Sequence, residues 1–149
     1  PTALAVIDCD HFKRINDMFG HDTGDEVLIA VAEGLKQENV FPARQGGEEF
    51  VVGVSGLAGR DLCRLGEAVK SELAQCNFDA IAPALRITTS IGIAQGIADG
   101  PFDTLYRQAD DALYAAKHAG RNRVIIADIS SARHQVITTL VSGIDRVHM

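Results

Sequence analysis

The run Ala3-Leu4-Ala5-Val6-Ile7 is apolar at every position and stops abruptly at Asp8. A strand with one wet face alternates apolar and polar side chains, whereas a strand covered on both faces reads as a continuous apolar run. Five residues are far short of the ~20 that cross a bilayer, and no apolar run elsewhere in the chain approaches that length. The run therefore predicts a central strand in a layered domain, with an acid where that strand emerges. A chain of 149 residues suits one such domain. No basic segment followed by an apolar one marks a secretory signal.

Outward from that strand, a short helical piece is predicted from His11 to Phe19. Thr23 and Glu26 have the spacing of a capping box, and Val27, Leu28, Val31, Ala32 and Leu35 continue at helical spacing to about Glu38. Val40 to Gln45 and Glu48 to Val54 read as two strands joined by a Gly46-Gly47 loop. Leu62, Leu65, Val69 and Leu73 mark a helix, and Leu85, Ile87, Ile91 and Ile93 a strand. Leu105, Ala109, Ala112, Leu113 and Ala116 mark a further helix, with Gly120 placed to end it. Val124 to Ala127 is a last short strand. The order β-α-α-β-β-α-β-α-β predicts an α/β (α+β) sandwich on a mostly antiparallel sheet flanked by helices. Residues 1–128 are expected to form the domain, and 129–149 a tail that is helical or flexible.

Charge narrows the partners. Fourteen Lys and Arg stand against twenty Asp and Glu, a net charge of −6. Phosphate backbones are held chiefly by cationic side chains, so nucleic acid is not an expected partner. Cys9, Cys63 and Cys76 form an odd, widely spaced set that reads as reduced core thiols of a cytoplasmic protein.

If the strands ending at Asp8 and beginning at Glu48 are antiparallel neighbours, Asp8, Asp10, Glu48 and Glu49 gather at one rim. Crowded carboxylates repel one another and raise each other's pKa unless cations lie between them, and hard divalent ions suit oxygen ligands. The other reading is four separate solvated acids. Gly46 and Gly47 serve equally as a hairpin turn or as backbone that lets phosphates approach. Asn16, Asp17, His21, Asp22 and Asp25 read individually as caps and turns, and together as groups able to grip a purine edge. A carboxylate can accept two hydrogen bonds from guanine's N1 and N2 groups, which adenine does not offer. Lys117, His118, Arg121 and Arg123 form the densest basic cluster, either as partners of a helix C-terminus or as captors of phosphate oxygens.

Four segments, DCDHFKRINDMFGHDTGDEVL, RQGGEEF, ITTSIGIA and ADDALYAAKHAGRNRV, follow one another between Ala3 and Ala127. Together they resemble the GGDEF domain family, the diguanylate cyclases. The resemblance implies a ferredoxin-like palm similar to that of nucleotidyl cyclases and polymerases. It implies condensation of two GTP molecules into cyclic di-GMP, with pyrophosphate released, across a homodimer. By motif, Asp8, Glu48, Glu49 and the Cys9 carbonyl would hold Mg²⁺ or Mn²⁺, and Glu48 or Glu49 would help deprotonate the 3′-hydroxyl. Asn16 and Asp25 would bind guanine, with His21 close by. His11 and Phe12 would offer backbone N–H groups to phosphate beside Gly46 and Gly47, and Lys117 and Arg121 would hold the β- and γ-phosphates.

The chain also departs from the family pattern. The RxxD of the family's inhibitory site is replaced at Gln37 and Val40, so feedback through that site is not expected. His11 stands where Phe is common, and Gln45 where an apolar residue precedes the glycines. The family's opening D-x-L-T-x-L-x-N-R-R helix is not in this sequence, which reads as a catalytic fragment of a parent chain with an upstream sensor or receiver domain. The alternative function is a catalytically silent GTP-binding regulatory module.

Overall fold

The strand at the front of the chain organises everything else. In a computed structural model that describes residues 2–96, 101–127 and 137–139, β1 (Thr2–Cys9) lies between two antiparallel neighbours, β3 (Glu49–Ser55) and β4 (Thr89–Gly96). The remaining strands are β2 (Val40–Gly46), β5 (Val124–Ala127) and β6 (Ile137–Thr139). They give a six-stranded sheet of order β2-β3-β1-β4-β5-β6, in which the β4–β5 pair alone is parallel.

Because side chains alternate along a strand, the two faces of β1 serve two cores. Ala3, Ala5, Ile7 and Cys9 join Phe50, Val52, Ile91 and Ile93 under α1 (Phe12–Phe19), α2 (His21–Gly34) and α3 (Gly59–Ala74). Leu4 and Val6 join Val51, Ala94 and Ile125 under α4 (Phe102–His118), whose buried face is Ala109, Ala112, Leu113 and Ala116. Each large aliphatic chain buried this way stabilises the fold by about 1.5–3 kcal/mol. The alternation also sets the site: Asp8 and Glu49 share the parity of Val6 and Val51, so both face α4.

Several local expectations are corrected. The Thr23–Glu26 capping box does not form. The second helix begins at His21 with Gly20 as its N-cap and no side-chain cap, and Thr23 lies buried inside it. That helix ends at Gly34 rather than near Glu38, because Leu35 and the residues after it turn toward β2. The hairpin turn is Gly47-Glu48 rather than Gly46-Gly47: Gly46 pairs with Glu49, and Gly47 alone takes the left-handed conformation, at φ 61°. The difference places Glu48 on the tip and Glu49 on the strand. Leu85 and Ile87 are buried but precede β4, which starts at Thr89. In the tail expected to be helical or flexible, the described residues Ile137–Thr139 pair with β5, and the rest lies outside the described residues.

Gly120 ends α4 as expected. It has φ 123°, and the Arg121 N–H reaches back to the Ala116 carbonyl at 2.9 Å, the long bond of a Schellman turn. On β2, which is an edge strand among the described residues, Pro42 is tolerated because it need not donate to a second neighbour, and the register shifts between Pro42 and Arg44.

Helix α4 lies unusually close to the sheet at Gly92. A Cβ there would collide with the Leu113 backbone nitrogen and the Ala109 carbonyl oxygen, and backbone has little room to yield. Gly92→Ala should therefore cost about 3 kcal/mol or more, the upper end of overpacking effects. Denaturant unfolding measures it, and a loss below about 1 kcal/mol would contradict this packing.

Candidate active site

Strand register brings the first acids together. Asp8 sits directly opposite Glu49 across the β1–β3 ladder, and Glu48 occupies the adjoining turn. Helix α4 crosses the same face and delivers two side chains to them. Lys117 Nζ donates to Asp8 Oδ2 at 2.5 Å, and Tyr106 Oη donates to Glu49 Oε1 at 2.9 Å. Tyr106 and Lys117 are separated by about three helical turns, so they share a face of α4. Phe102 stacks on Tyr106 with ring centroids 6.2 Å apart.

Among the ion pairs of the described residues, Asp8–Lys117 and Lys70–Glu67 alone have both side chains largely buried, and of the two only Asp8–Lys117 joins distant segments. Its side chains are 14% and 33% exposed, against 64% and 88% for Asp17 and Lys13. Fully exposed pairs contribute little. Here partial burial strengthens the attraction while making an unpaired carboxylate costly. The other Asp8 oxygen, Oδ1, is buried and has no hydrogen-bond partner among the described residues.

The neighbouring groups show the strain of that charge. Burial, then the Asp8 charge, pushes the Glu48 carboxyl above its ordinary value, with Lys117 pulling the other way. The Cys9 thiol is pushed up to about 12 by burial and by Asp10, Asp8 and Glu48, which makes it an inert core thiol.

These residues fit a hard cation in one respect and leave room in another. An orphaned buried carboxylate oxygen beside two further acids is the donor chemistry that Mg²⁺ or Mn²⁺ takes. No three His, Cys, Asp or Glu groups among the described residues already surround one point. Mg²⁺ is commonly held by one or two carboxylates, with water and substrate phosphates completing its shell. The fit is therefore to Asp8 with Glu48 or Glu49 and to the carbonyl of Cys9, with the rest supplied by ligand.

The remaining expected residues form two further groups. Asn16 is half-buried on α1 and packs on Gly24 of α2, where a Cβ would collide with Asn16 Oδ1. That Oδ1 is likewise buried without a partner among the described residues. Asp25 follows Gly24 and is exposed, lining an open pocket of about 420 Å³ with Asp22, Thr23, Glu26 and Ile81. His21 is exposed at the start of α2.

His11, at φ 57°, precedes α1, whose first turn has no side-chain cap, while the Phe12 ring is buried in the core. Phe12 therefore offers a ligand only its backbone, whereas His11 is exposed. The basic cluster divides: His118 stacks on Tyr114, Arg123 Nε donates to the Arg121 carbonyl, and the Arg121 guanidinium has no ion pair among the described residues.

Asp10 does not join the rim. It is 6% exposed and is hydrogen-bonded to Thr88, Ser90 and the Asn122 backbone, so the expected four-acid cluster contains three. A carboxylate on the first turn residue after a strand has no reason to stay in the strand's plane. Tyr106, bonded to Glu49, is a site residue that no local motif marks. Its spacing from Lys117 on an amphipathic helix was the available signal, but nothing local connected it to Glu49.

The Glu48 shift has a sign that can be measured. A carboxyl whose folded-state pKa is raised favours the fold while protonated, and that contribution is lost as pH rises through the folded value. Glu48→Gln should therefore raise the thermal midpoint in metal-free buffer near neutral pH, with the gain shrinking as pH falls into the carboxylate range. Equal midpoints for both proteins across that range would contradict the shift.

With this geometry in view, the comparisons with known proteins converge. A family model described as "Diguanylate cyclase, GGDEF domain" matches residues 1–123. Diguanylate cyclase DgcP of Pseudomonas aeruginosa is 45% identical over 130 residues, which cover 83% of this chain and 19% of that protein. Diguanylate cyclase DgcM of Escherichia coli K12 is 41% identical, covering 84% of this chain and 30% of that protein. The chain thus spans less than a third of the length of these curated relatives. Among solved structures, the GGDEF domain of DgcB from Caulobacter crescentus in complex with c-di-GMP superposes with a TM-score of 0.75 at 35% identity, covering 84% of this chain and 77% of that one. The active GGEEF domain of a diguanylate cyclase from Vibrio cholerae gives 0.74 at 35% identity, covering 84% and 81%. Sequence, fold and the Gly-Gly-Glu-Glu turn agree, and the chain belongs to the diguanylate cyclase GGDEF domain family.

Proposed function

We propose that this chain condenses two GTP molecules into cyclic di-GMP with release of two pyrophosphates, each domain of a homodimer holding one GTP. The observation that supports this reading most directly is the Asp8–Glu49 juxtaposition beneath the Gly47-Glu48 turn, with Asp8 Oδ1 buried and unpartnered and Lys117 reaching the same carboxylate. Mg²⁺ or Mn²⁺ at Asp8, Glu48, Glu49 and the Cys9 carbonyl would supply the positive charge that acidifies a ribose 3′-hydroxyl and offsets the leaving pyrophosphate.

The chain's own groups have distinct tasks. Asn16 and Asp25 hold guanine, Asp25 by accepting from N1 and N2, with His21 beside them. Backbone N–H groups at His11, Phe12, Gly46 and Gly47 face phosphate oxygens. Lys117 exchanges Asp8 for the β- and γ-phosphates when nucleotide arrives, and Arg121 joins it there. Glu49 or Glu48 accepts the 3′-hydroxyl proton as the oxygen attacks the α-phosphorus of the facing GTP and the bond to pyrophosphate breaks. One domain presents one nucleotide, so the reaction needs a second copy.

The relatives are longer proteins, among them the response regulator PleD of Caulobacter vibrioides, of which the matched region is 29%. A sensor or receiver domain in the parent chain would supply the signal that pairs two copies. No helix among the described residues is long and apolar enough to cross a membrane. We place the domain in the cytoplasm, where GTP is found. At the family's inhibitory position, Gln37 Nε2 donates to the Gly34 carbonyl and to Glu72, and no arginine is present to grip a product phosphate.

Protein incubated with GTP and Mg²⁺ should yield cyclic di-GMP by chromatography, with a specific rate that rises with protein concentration until the dimer is saturated. Glu49→Gln should lower turnover by about a hundredfold or more, in the range of lost acid–base and metal contributions, while GTP binding persists. GTP binding without product at every concentration, including in a forced dimer, would replace this reading with that of a silent GTP-binding module. Equal use of ATP would refute the role of Asp25.

A further inference from the structure

Asp10 is the most thoroughly bonded acid among the described residues, and nothing above gives it a task. Its Oδ2 accepts from the Thr88 hydroxyl at 2.6 Å and from the Asn122 backbone N–H at 3.0 Å, and its Oδ1 accepts from the Ser90 hydroxyl at 2.6 Å. Its own N–H donates to the Thr88 carbonyl at 2.9 Å. One buried carboxylate thus joins three segments: the end of β1, the entry to β4 and the loop between α4 and β5.

That loop is an awkward one. Arg121 and Asn122 are consecutive non-glycine residues in the left-handed region, at φ 61° and 50°; Asn enters it readily, whereas Arg does so only where the surroundings hold it. Two backbone bonds do so: Arg121 N–H to the Ala116 carbonyl, and Asn122 N–H to Asp10. The outer contacts, Lys70 Nζ to Asn122 Oδ1 at 3.5 Å and Arg123 Nε to the Arg121 carbonyl at 3.0 Å, involve side chains free to swing. Without Asp10, the Asn122 N–H has no partner inside the fold, and the left-handed pair has lost one of its two restraints.

We propose that Asp10 is a positioning residue: it holds the Arg121–Asn122 turn, and with it Arg121, in a fixed place just beyond the last turn of α4, which carries Lys117 to Asp8. Three donors within the fold already take three of the about four acceptor sites of Asp10, which commits the carboxylate to the clasp. This rests on the reading of Lys117 and Arg121 as the triphosphate-binding arm. Asp10 lies two residues from Asp8 on the same chain, so it ties the arm and the metal-binding acid into one rigid unit.

The test compares Asp10→Ala with Asp10→Asn. The asparagine keeps an oxygen for Thr88 and Asn122 and offers its amide to the Ser90 hydroxyl oxygen, so it can preserve the clasp without the charge. Amide exchange at Asn122, measured without nucleotide, should quicken in Asp10→Ala and stay near the unaltered rate in Asp10→Asn. Calorimetry should show Asp10→Ala binding GTP about tenfold more weakly and GMP, which lacks the β- and γ-phosphates, as before. Asp10→Asn should bind both like the unaltered protein.

Unchanged exchange in Asp10→Ala would overturn the proposal. So would equal weakening of GTP and GMP, or an Asp10→Asn variant that loses Mn²⁺ binding as a ligand variant would. If Asp10→Ala does not fold, Thr88→Val combined with Ser90→Ala removes the two hydroxyls that orient the carboxylate and is read by the same measurements. The exchange experiment needs no ligand. Failure of the unaltered protein to bind GTP would therefore count against the cyclase reading alone.

Discussion

Everything in this domain depends on β1 being buried on both faces. A strand with two apolar faces must be central, so it acquires two neighbours and a layer of helices on each side. Its length then decides where the first polar residue emerges. Asp8 is that residue, and its parity places it on the α4 side, level with Glu49. The same alternation that sends Ile7 and Cys9 into one core directs the acid toward the other helix layer. The position of the candidate site is a by-product of how the core is packed.

At the emerging end of β1 the molecule must manage negative charge in a partly dry place. It does so with a cation on a helix rather than with solvent. Lys117 is held at the last turn of α4, and α4 is held close to the sheet because Gly92 presents no side chain and Ala109, Ala112 and Ala116 present very small ones. Had α4 been spaced farther out by larger residues, its lysine would have faced water. Tight packing of small residues and electrostatic balance of the acids are thus one arrangement. Lys117 satisfies one Asp8 oxygen and leaves the other unsatisfied. That asymmetry is what an acid expecting a second cation would show.

Much of this was legible beforehand. The alternation and helix periodicities named nine elements in the right order, because each rests on a long stretch of apolar spacing. The pairing of the Asp8 strand with the Glu49 strand stood in the sequence only as a condition, because which buried strands become neighbours is settled when the sheet closes. Signals resting on two or three polar residues were less reliable. Thr23 and Glu26 have capping-box spacing, but the chain enters α2 two residues earlier, so Thr23 is buried instead. Gly46 and Gly47 both permit a turn, and the register of β2 against β3 decided which pair occupies it.

The sequence by itself determined the layers, the central strand and the family. These follow from periodic burial and from side-chain types at close spacing, which are properties of a local stretch of chain. Tertiary structure alone decided which partner each polar group found. Asp10 and Asp8 are two residues apart and indistinguishable as letters. Yet Asp8 meets Lys117, 109 positions away, while Asp10 meets Ser90 and Asn122, 80 and 112 positions away. The chemistry of an acid depends on the donors that surround it, and those donors arrive from distant segments only when the core has closed.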